Sequence, residues 1–281
     1  MKWTGRRESS NVEDAGGGGF GRMVPFGGGG ALVVGLLYFF LTGDPSVVLD
    51  QVTTQSSRNV PAQTTRSGSS TSSPERKFVA VVLADTEDVW GEIFRRMGRR
   101  YREPKIVLYS GTVQSGCGIA GASSGPFYCP EDQKLYLDLA FFHDLDSRYG
   151  APGDFAQAYV IAHEVGHHVQ NQLGTLGKVH ALQRRSGKSQ ANALSVRTEL
   201  QADYYAGVWA HYARQRKLLD PGDAEEALTA ASAVGDDRLQ RQTRGYAVPD
   251  SFTHGTSAQR AAWFNRGFQS GDVRGGDRFN D

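Results

Sequence analysis

The sequence is short of charge of one sign, of repeats and of cysteine, and each shortage removes a class of protein. It carries 31 basic against 30 acidic residues, a formal net charge of +1, so no global field points to nucleic acid as a partner. No internal period is visible, which sets repeat architectures aside. There are two cysteines, Cys117 and Cys129, whereas a cysteine-held metal site would want further Cys or His ligands nearby. Long apolar runs are nearly missing too, the exception being Val24–Thr42, VPFGGGGALVVGLLYFFLT, which is broken by glycine. Much of the glycine excess clusters in Gly16–Gly19 and Gly27–Gly30 and marks flexible or membrane-adjacent sequence. Of 281 residues, about 200 read as folded.

In chain order, residues 1–23 are polar and Gly-rich and read as a disordered cytoplasmic tail. Residues 24–42 are uncharged and long enough to span a bilayer. No small-x-small cleavage site follows them, so an uncleaved anchor is expected over a cleaved signal. More Lys and Arg lie just before the span than after it, which leaves the amino terminus in the cytoplasm and exports the rest. Residues 43–74 read as a flexible linker, rich in Ser, Thr and Gln. A folded domain is expected over 75–270, followed by a polar tail, 271–281. Within the domain, Phe78–Asp85 and Lys105–Gly111 read as strands, with a helix over Thr86–Tyr101 between them. Gln133–Leu139 alternates Leu135, Leu137 and Leu139 as a half-buried strand does. In an exported domain, Cys117 and Cys129 are most simply a disulfide stapling the loop before that strand. Beyond Ala140 the signals turn helical: a central helix to Gly174 with Asp154 as candidate N-cap, then helices near Lys178–Arg185, Gln190–Lys217 and from Pro221 towards Gln240. Thr256 followed by Gln259 has capping-box spacing ahead of a last helix.

The central helix holds His163, Glu164 and His167 in the pattern H-E-x-x-H. Residues four apart share a helix face, so both imidazoles can reach one metal ion while Glu164, beside that face, can reach a metal-bound water. A catalytic zinc generally takes a third protein ligand. A histidine three residues beyond a glycine would supply it in H-E-x-x-H-x-x-G-x-x-H, but those positions are Gln170 and Leu173. Glu199, in RTELQADYYAG, is the candidate, with Asp203 one turn on. Asp203 can accept a hydrogen bond from the distal nitrogen of a ligating histidine, or serve as the ligand itself. His168, His180 and His211 read as ordinary polar or packing residues. His254, in SFTHGTS, could turn towards the metal and donate to an oxyanion, or be a loop histidine with no role.

Together AHEVGHHVQ, ELQADYYAG, SFTHGTSAQR and the cysteine-bracketed CG…GPFYCP…LYLDL resemble the bacterial neutral zinc metallopeptidase family, a membrane-anchored group among the thermolysin-like, gluzincin peptidases. The resemblance implies an α+β, zincin-like domain: a small N-terminal sheet, then a mainly helical half, preceded by one transmembrane helix. It implies one catalytic zinc held by His163, His167 and Glu199, with Glu164 as general base and His254 as a second catalytic residue. The expected function is a membrane-anchored endopeptidase acting on peptide or protein substrates, a single-pass protein of the bacterial membrane with its catalytic domain on the periplasmic, extracytoplasmic side. Zincin folds hold substrate as an added strand, and Gln133–Leu139 is the strand expected to do so. Two other classes compete: a non-catalytic, zinc-stabilised envelope protein binding peptides or cell-wall material, and a metal-free, membrane-tethered structural domain.

Overall fold

The structure is a computed structural model that describes residues 1–15, 73–121 and 124–277. Six strands are described: β1 (Val12–Asp14), β2 (Lys105–Tyr109), β3 (Thr112–Ser115), β4 (Gly118–Gly121), β5 (Phe127–Cys129) and β6 (Lys134–Asp138). The α-helices are α1 (Pro74–Arg96), α2 (Ala140–Ser147), α3 (Asp154–Leu173), α4 (Thr175–Gln183), α5 (Lys188–Gln215), α6 (Asp223–Ala233), α7 (Asp236–Arg244) and α8 (Ser257–Ser270). Four strands form one sheet in the order β1-β2-β6-β5, while β3 and β4 form an antiparallel hairpin.

The sheet separates two apolar regions. Val12, Ile106, Leu108, Leu135 and Leu137 point from one face into the main core, which is otherwise helical. From the other face Val107, Tyr109, Tyr136 and Cys129 meet Val113 and Ala120 of the hairpin in a second, smaller core. Period-two alternation along β2 and β6 sorts the side chains between these layers.

Phe78–Asp85 is helix, not strand, and forms the first half of α1. Its apolar residues are consecutive and all buried, a pattern that cannot separate an enclosed strand from an enclosed helix. Local chemistry decides: the Ser73 side chain accepts from the Arg76 amide, and Pro74 occupies the first turn. The single helix expected towards Gln240 is two, α6 and α7, interrupted at Gly235. A Cβ there would lie 2.3 Å from the Ser257 amide nitrogen, so close contact with the start of α8 shapes the break. The capping box of Thr256 and Gln259 forms at the start of α8.

The expected membrane anchor is corrected. Residues 24–42 lie outside the described residues, and among those described no helix is long and apolar enough to cross a membrane. The amino-terminal segment also argues against a single crossing. Residues 1–15 are part of the domain, with β1 paired in parallel to β2, Val12 opposite Ile106. Arg7 bonds Glu87 and Asp88, and Ser9 and Asn11 also donate to Glu87. The Met1 amino group meets Asp154 and Asp223. One crossing between residues 15 and 73 would place β1 and β2 on opposite sides of a bilayer. A single-pass anchor with a disordered cytoplasmic tail and an exported domain is therefore not supported, nor is the single-pass localisation that rested on it. Most of the expected linker, 43–74, lies outside the described residues, as do 278–281. The polar tail from 271 begins with a 3-10 turn, Val273–Gly276, and the Gly276 carbonyl accepts from Gln201.

Candidate metal centre and its cleft

The site is made where α3 and α5 touch. A Cβ on Gly166 would lie 2.8 Å from the Ala202 carbonyl oxygen, so only glycine allows this approach of the two backbones. Gly166 sits between His163 and His167, and Ala202 lies between Glu199 and Asp203. One close contact therefore sets both pairs of side chains against each other.

His163 Nε2 is 3.2 Å from Glu199 Oε2, and His167 Nε2 is 3.5 Å from Glu199 Oε1. One ligand atom from each of the three residues lies within 4.8 Å of the others. The distal nitrogens are held as well. His163 Nδ1 is 2.8 Å from Asp203 Oδ1, and His167 Nδ1 is 2.8 Å from Gln170 Oε1. Gln170 donates its amide hydrogens to the Thr198 carbonyl and to Gln201, so its oxygen is the atom left to accept from His167. With Nδ1 occupied on both rings, Nε2 is the atom of each that faces the Glu199 carboxylate, the atom from which a neutral ring could ligate a metal.

Burial disfavours charge on His163, but Asp203 and Glu199 outweigh it and raise its pKa to about 9. A donor set that attracts a proton this strongly suits a metal cation for the same electrostatic reason. Two imidazoles and one carboxylate match the three-ligand set of a catalytic zinc.

Asp203 is fully buried. It accepts from Tyr159 Oη at 2.5 Å, from Arg260 Nε at 2.8 Å and from the other Arg260 arm at 3.0 Å, besides His163. Burial opposes its charge, yet Arg260 and His163 hold its carboxyl below the usual range. Glu164 is 9 % exposed and makes no hydrogen bond or ion pair with any described residue, while lining the same cleft of about 590 Å³ as the two histidines and Glu199.

His254 lines that cleft too, on a loop gripped by Asp236. Asp236 Oδ2 accepts from the amides of Thr253 (2.7 Å), His254 (2.6 Å) and Gly255 (3.1 Å), while Oδ1 meets His254 Nδ1 at 3.2 Å. That occupies Nδ1, and Nε2 has no hydrogen-bond partner among the described residues. Burial opposes a charged imidazole here, but the Asp236 hydrogen bond and the fields of Glu199 and Asp236 outweigh it, and the pKa is raised.

His168 does not line the cleft: it lies between Tyr128 Oη (3.1 Å) and the Arg102 carbonyl (2.6 Å), with its pKa lowered by burial to about 4. His211 packs at the Phe268 carbonyl, whereas His180 lines the cleft. Cys117 and Cys129 are disulfide-bonded.

Gln133–Leu139 does not offer a free edge. β6 pairs with β2 along its whole length on one side and with β5 over Lys134–Tyr136 on the other, so it is an inner strand of the sheet. The edge strand beside the cleft is β5, whose Phe127 and Tyr128 line it. Sequence reasoning also missed Gln170, Asp236 and Arg260. Gln170 carried a signal, three residues after His167 on one helix face. Asp236 and Arg260 act from other elements, and nothing in their local sequence marks them.

Two imidazoles and a carboxylate from neighbouring helices could hold one metal ion, and beside them in the cleft stands a glutamate with no partner among the described residues. The chain belongs to the family described as "Putative neutral zinc metallopeptidase", which matches residues 1–279. That description names zinc as the metal and peptidase as the class of activity. Among its relatives, uncharacterized protein YpfJ of Escherichia coli K12 is 51% identical over 282 residues, covering 97% of this chain and 96% of the relative. Uncharacterized protein Mb2605 of Mycobacterium bovis and uncharacterized protein Rv2575 of Mycobacterium tuberculosis are each 41% identical over 248 residues, covering 84% of this chain and 83% of theirs. No solved structure matches the chain significantly.

Proposed function

We propose that the protein is a zinc-dependent endopeptidase in which His163, His167 and Glu199 hold one catalytic zinc. The observation carrying this reading is the fixed orientation of both rings, Nδ1 on Asp203 and Gln170, Nε2 towards Glu199. Zinc held there would polarise a scissile carbonyl and lower the pKa of a bound water. Glu164, without a competing partner among the described residues, takes the proton from the attacking water and delivers it to the leaving amine. His254, steadied through Nδ1 by Asp236, donates from Nε2 to the developing oxyanion. The outer edge of β5 holds an extended peptide as an added strand across the cleft.

The test compares the full chain with its Glu164→Gln variant for zinc content and casein hydrolysis. One zinc in each, with cleavage by the parent alone, is the expected result. One zinc in each and cleavage by neither would overturn the peptidase reading in favour of a zinc-stabilised binding protein.

A further inference from the structure

Strand β5 is three residues long and is held differently on its two faces. Towards α3, the Tyr128 hydroxyl accepts from Asn171 Nδ2 at 2.9 Å and meets His168 Nδ1 at 3.1 Å. On the other face Phe127 stacks on Tyr136, ring centroids 4.8 Å apart, and Cys129 is fully buried. The disulfide to Cys117 ties the end of β5 to the turn of the β3–β4 hairpin. Asp132 is a polar tie to the same turn, accepting from the Gly116 amide and the Tyr136 hydroxyl at 2.6 Å each. The core beneath the hairpin is confined to a handful of side chains, and a two-stranded hairpin on so little apolar surface is marginal without a covalent link. The two sulfurs differ in access, Cys129 being enclosed and Cys117 half-buried.

We propose that this disulfide is a redox-dependent brace on the substrate-holding strand: a dithiol reductant loosens β5 and weakens peptide binding while the metal ligands stay in place. The proposal rests on the reading of β5 as the strand that holds substrate. A thiolate of the reductant attacks the accessible Cys117 sulfur, the S–S bond breaks, and Cys129 leaves as a thiolate that takes up a proton. The reductant's second thiol then displaces Cys117 from the mixed disulfide. Two electrons and two protons pass to the protein, giving two thiols, and the dithiol becomes its own disulfide. The metal-ligand candidates lie on α3 and α5 and share no residue with the hairpin, so its release leaves them seated.

The experiment uses the full zinc-loaded chain, oxidised or treated with a trialkylphosphine, which yields the same two thiols without chelating zinc as a dithiol does. Amide hydrogen exchange at residues 127–129, zinc content, and KM and kcat on a peptide are read together. Reduction is expected to speed exchange at 127–129 by about tenfold or more, with the turn of α3 from His163 to His167 unchanged. It should also raise KM about tenfold while kcat stays within about twofold and one zinc is retained. Reoxidation should reverse both effects, and a Cys117→Ala/Cys129→Ala variant should match the reduced protein. Unchanged exchange at 127–129, faster exchange with an unchanged KM, or loss of zinc on reduction would each overturn the proposal. If the oxidised protein cleaves no peptide, the peptidase reading fails on its own. Exchange then still decides the brace, and peptide affinity of the oxidised and reduced forms decides its coupling to binding.

Discussion

Replacing Gly166 with alanine tests the origin of the site, because the added methyl has one place to go. Its carbon would lie 2.8 Å from the Ala202 carbonyl oxygen and 3.1 Å from the Ala202 Cα, both backbone atoms that no rotamer change can move. Ordinary contact begins at 3.4 Å, so α3 and α5 must part by about 0.6 Å. Overpacking of this kind costs about 1–3 kcal/mol, and the helix propensity gained from glycine to alanine returns roughly 1 kcal/mol. The net loss of stability is therefore small, about 0–2 kcal/mol. The proposed zinc site is less forgiving, since ligand distances must hold to about 0.2 Å and Glu199 moves with α5 against both histidines. Gly166→Ala is expected to weaken zinc binding about 10–100-fold, read by chelator competition, while the melting temperature of the metal-free protein shifts by a few degrees. Wild-type zinc affinity, with the helices no further apart in a crystal structure of the variant, would refute the account.

Asp203→Asn removes the charge that compensates Arg260 inside the protein and is expected to cost about 3–5 kcal/mol in urea unfolding. Adding Arg260→Met should recover much of that stability but not the zinc affinity lost with the His163 partner; recovery of both would show that Asp203 does not orient the ring. Burial works against the Asp236 charge, but the His254 side chain and the backbone amides of the loop outweigh it and hold its carboxyl below the usual carboxylate range. The folded pKa lies below the unfolded one, so the stabilisation is present above about pH 4 and fades as pH falls through the folded value. Asp236→Asn should cost about 1–3 kcal/mol at pH 7 and less at pH 3, and a deficit that grows with acid would contradict this. Deleting residues 1–14 strips β1 from the sheet and removes the bonds to buried Glu87 from Arg7, Ser9 and Asn11. A loss of about 3 kcal/mol or more is expected in thermal unfolding, and an unchanged transition would mean that the segment is not part of the fold.

What could be read in the sequence was what depends on near neighbours. The spacing of His163, Glu164 and His167 on one helix, the capping box of Thr256 and Gln259, and the alternation in Gln133–Leu139 all rest on local backbone geometry, the helical and strand periods of 3.6 and 2 among them. The pairing of Cys117 with Cys129 needed no choice, since the chain has no other cysteine. The environment of Phe78–Asp85 was not legible, because a run buried on every side has no exposed face to reveal its period. Nor was the place of residues 1–15: their polarity reads as disorder until Asp85, Glu87 and Asp88 supply partners about 80 residues away. Which strand has a free edge, which carboxylate grips the His254 loop and which cation balances Asp203 were decided by tertiary structure alone. Each is a relation between elements distant in the chain: strand pairing leaves β5 at the edge, the approach of Gly235 to Ser257 brings α7 to the start of α8, and Gly207 and Gly267 let α8 lie close on α5.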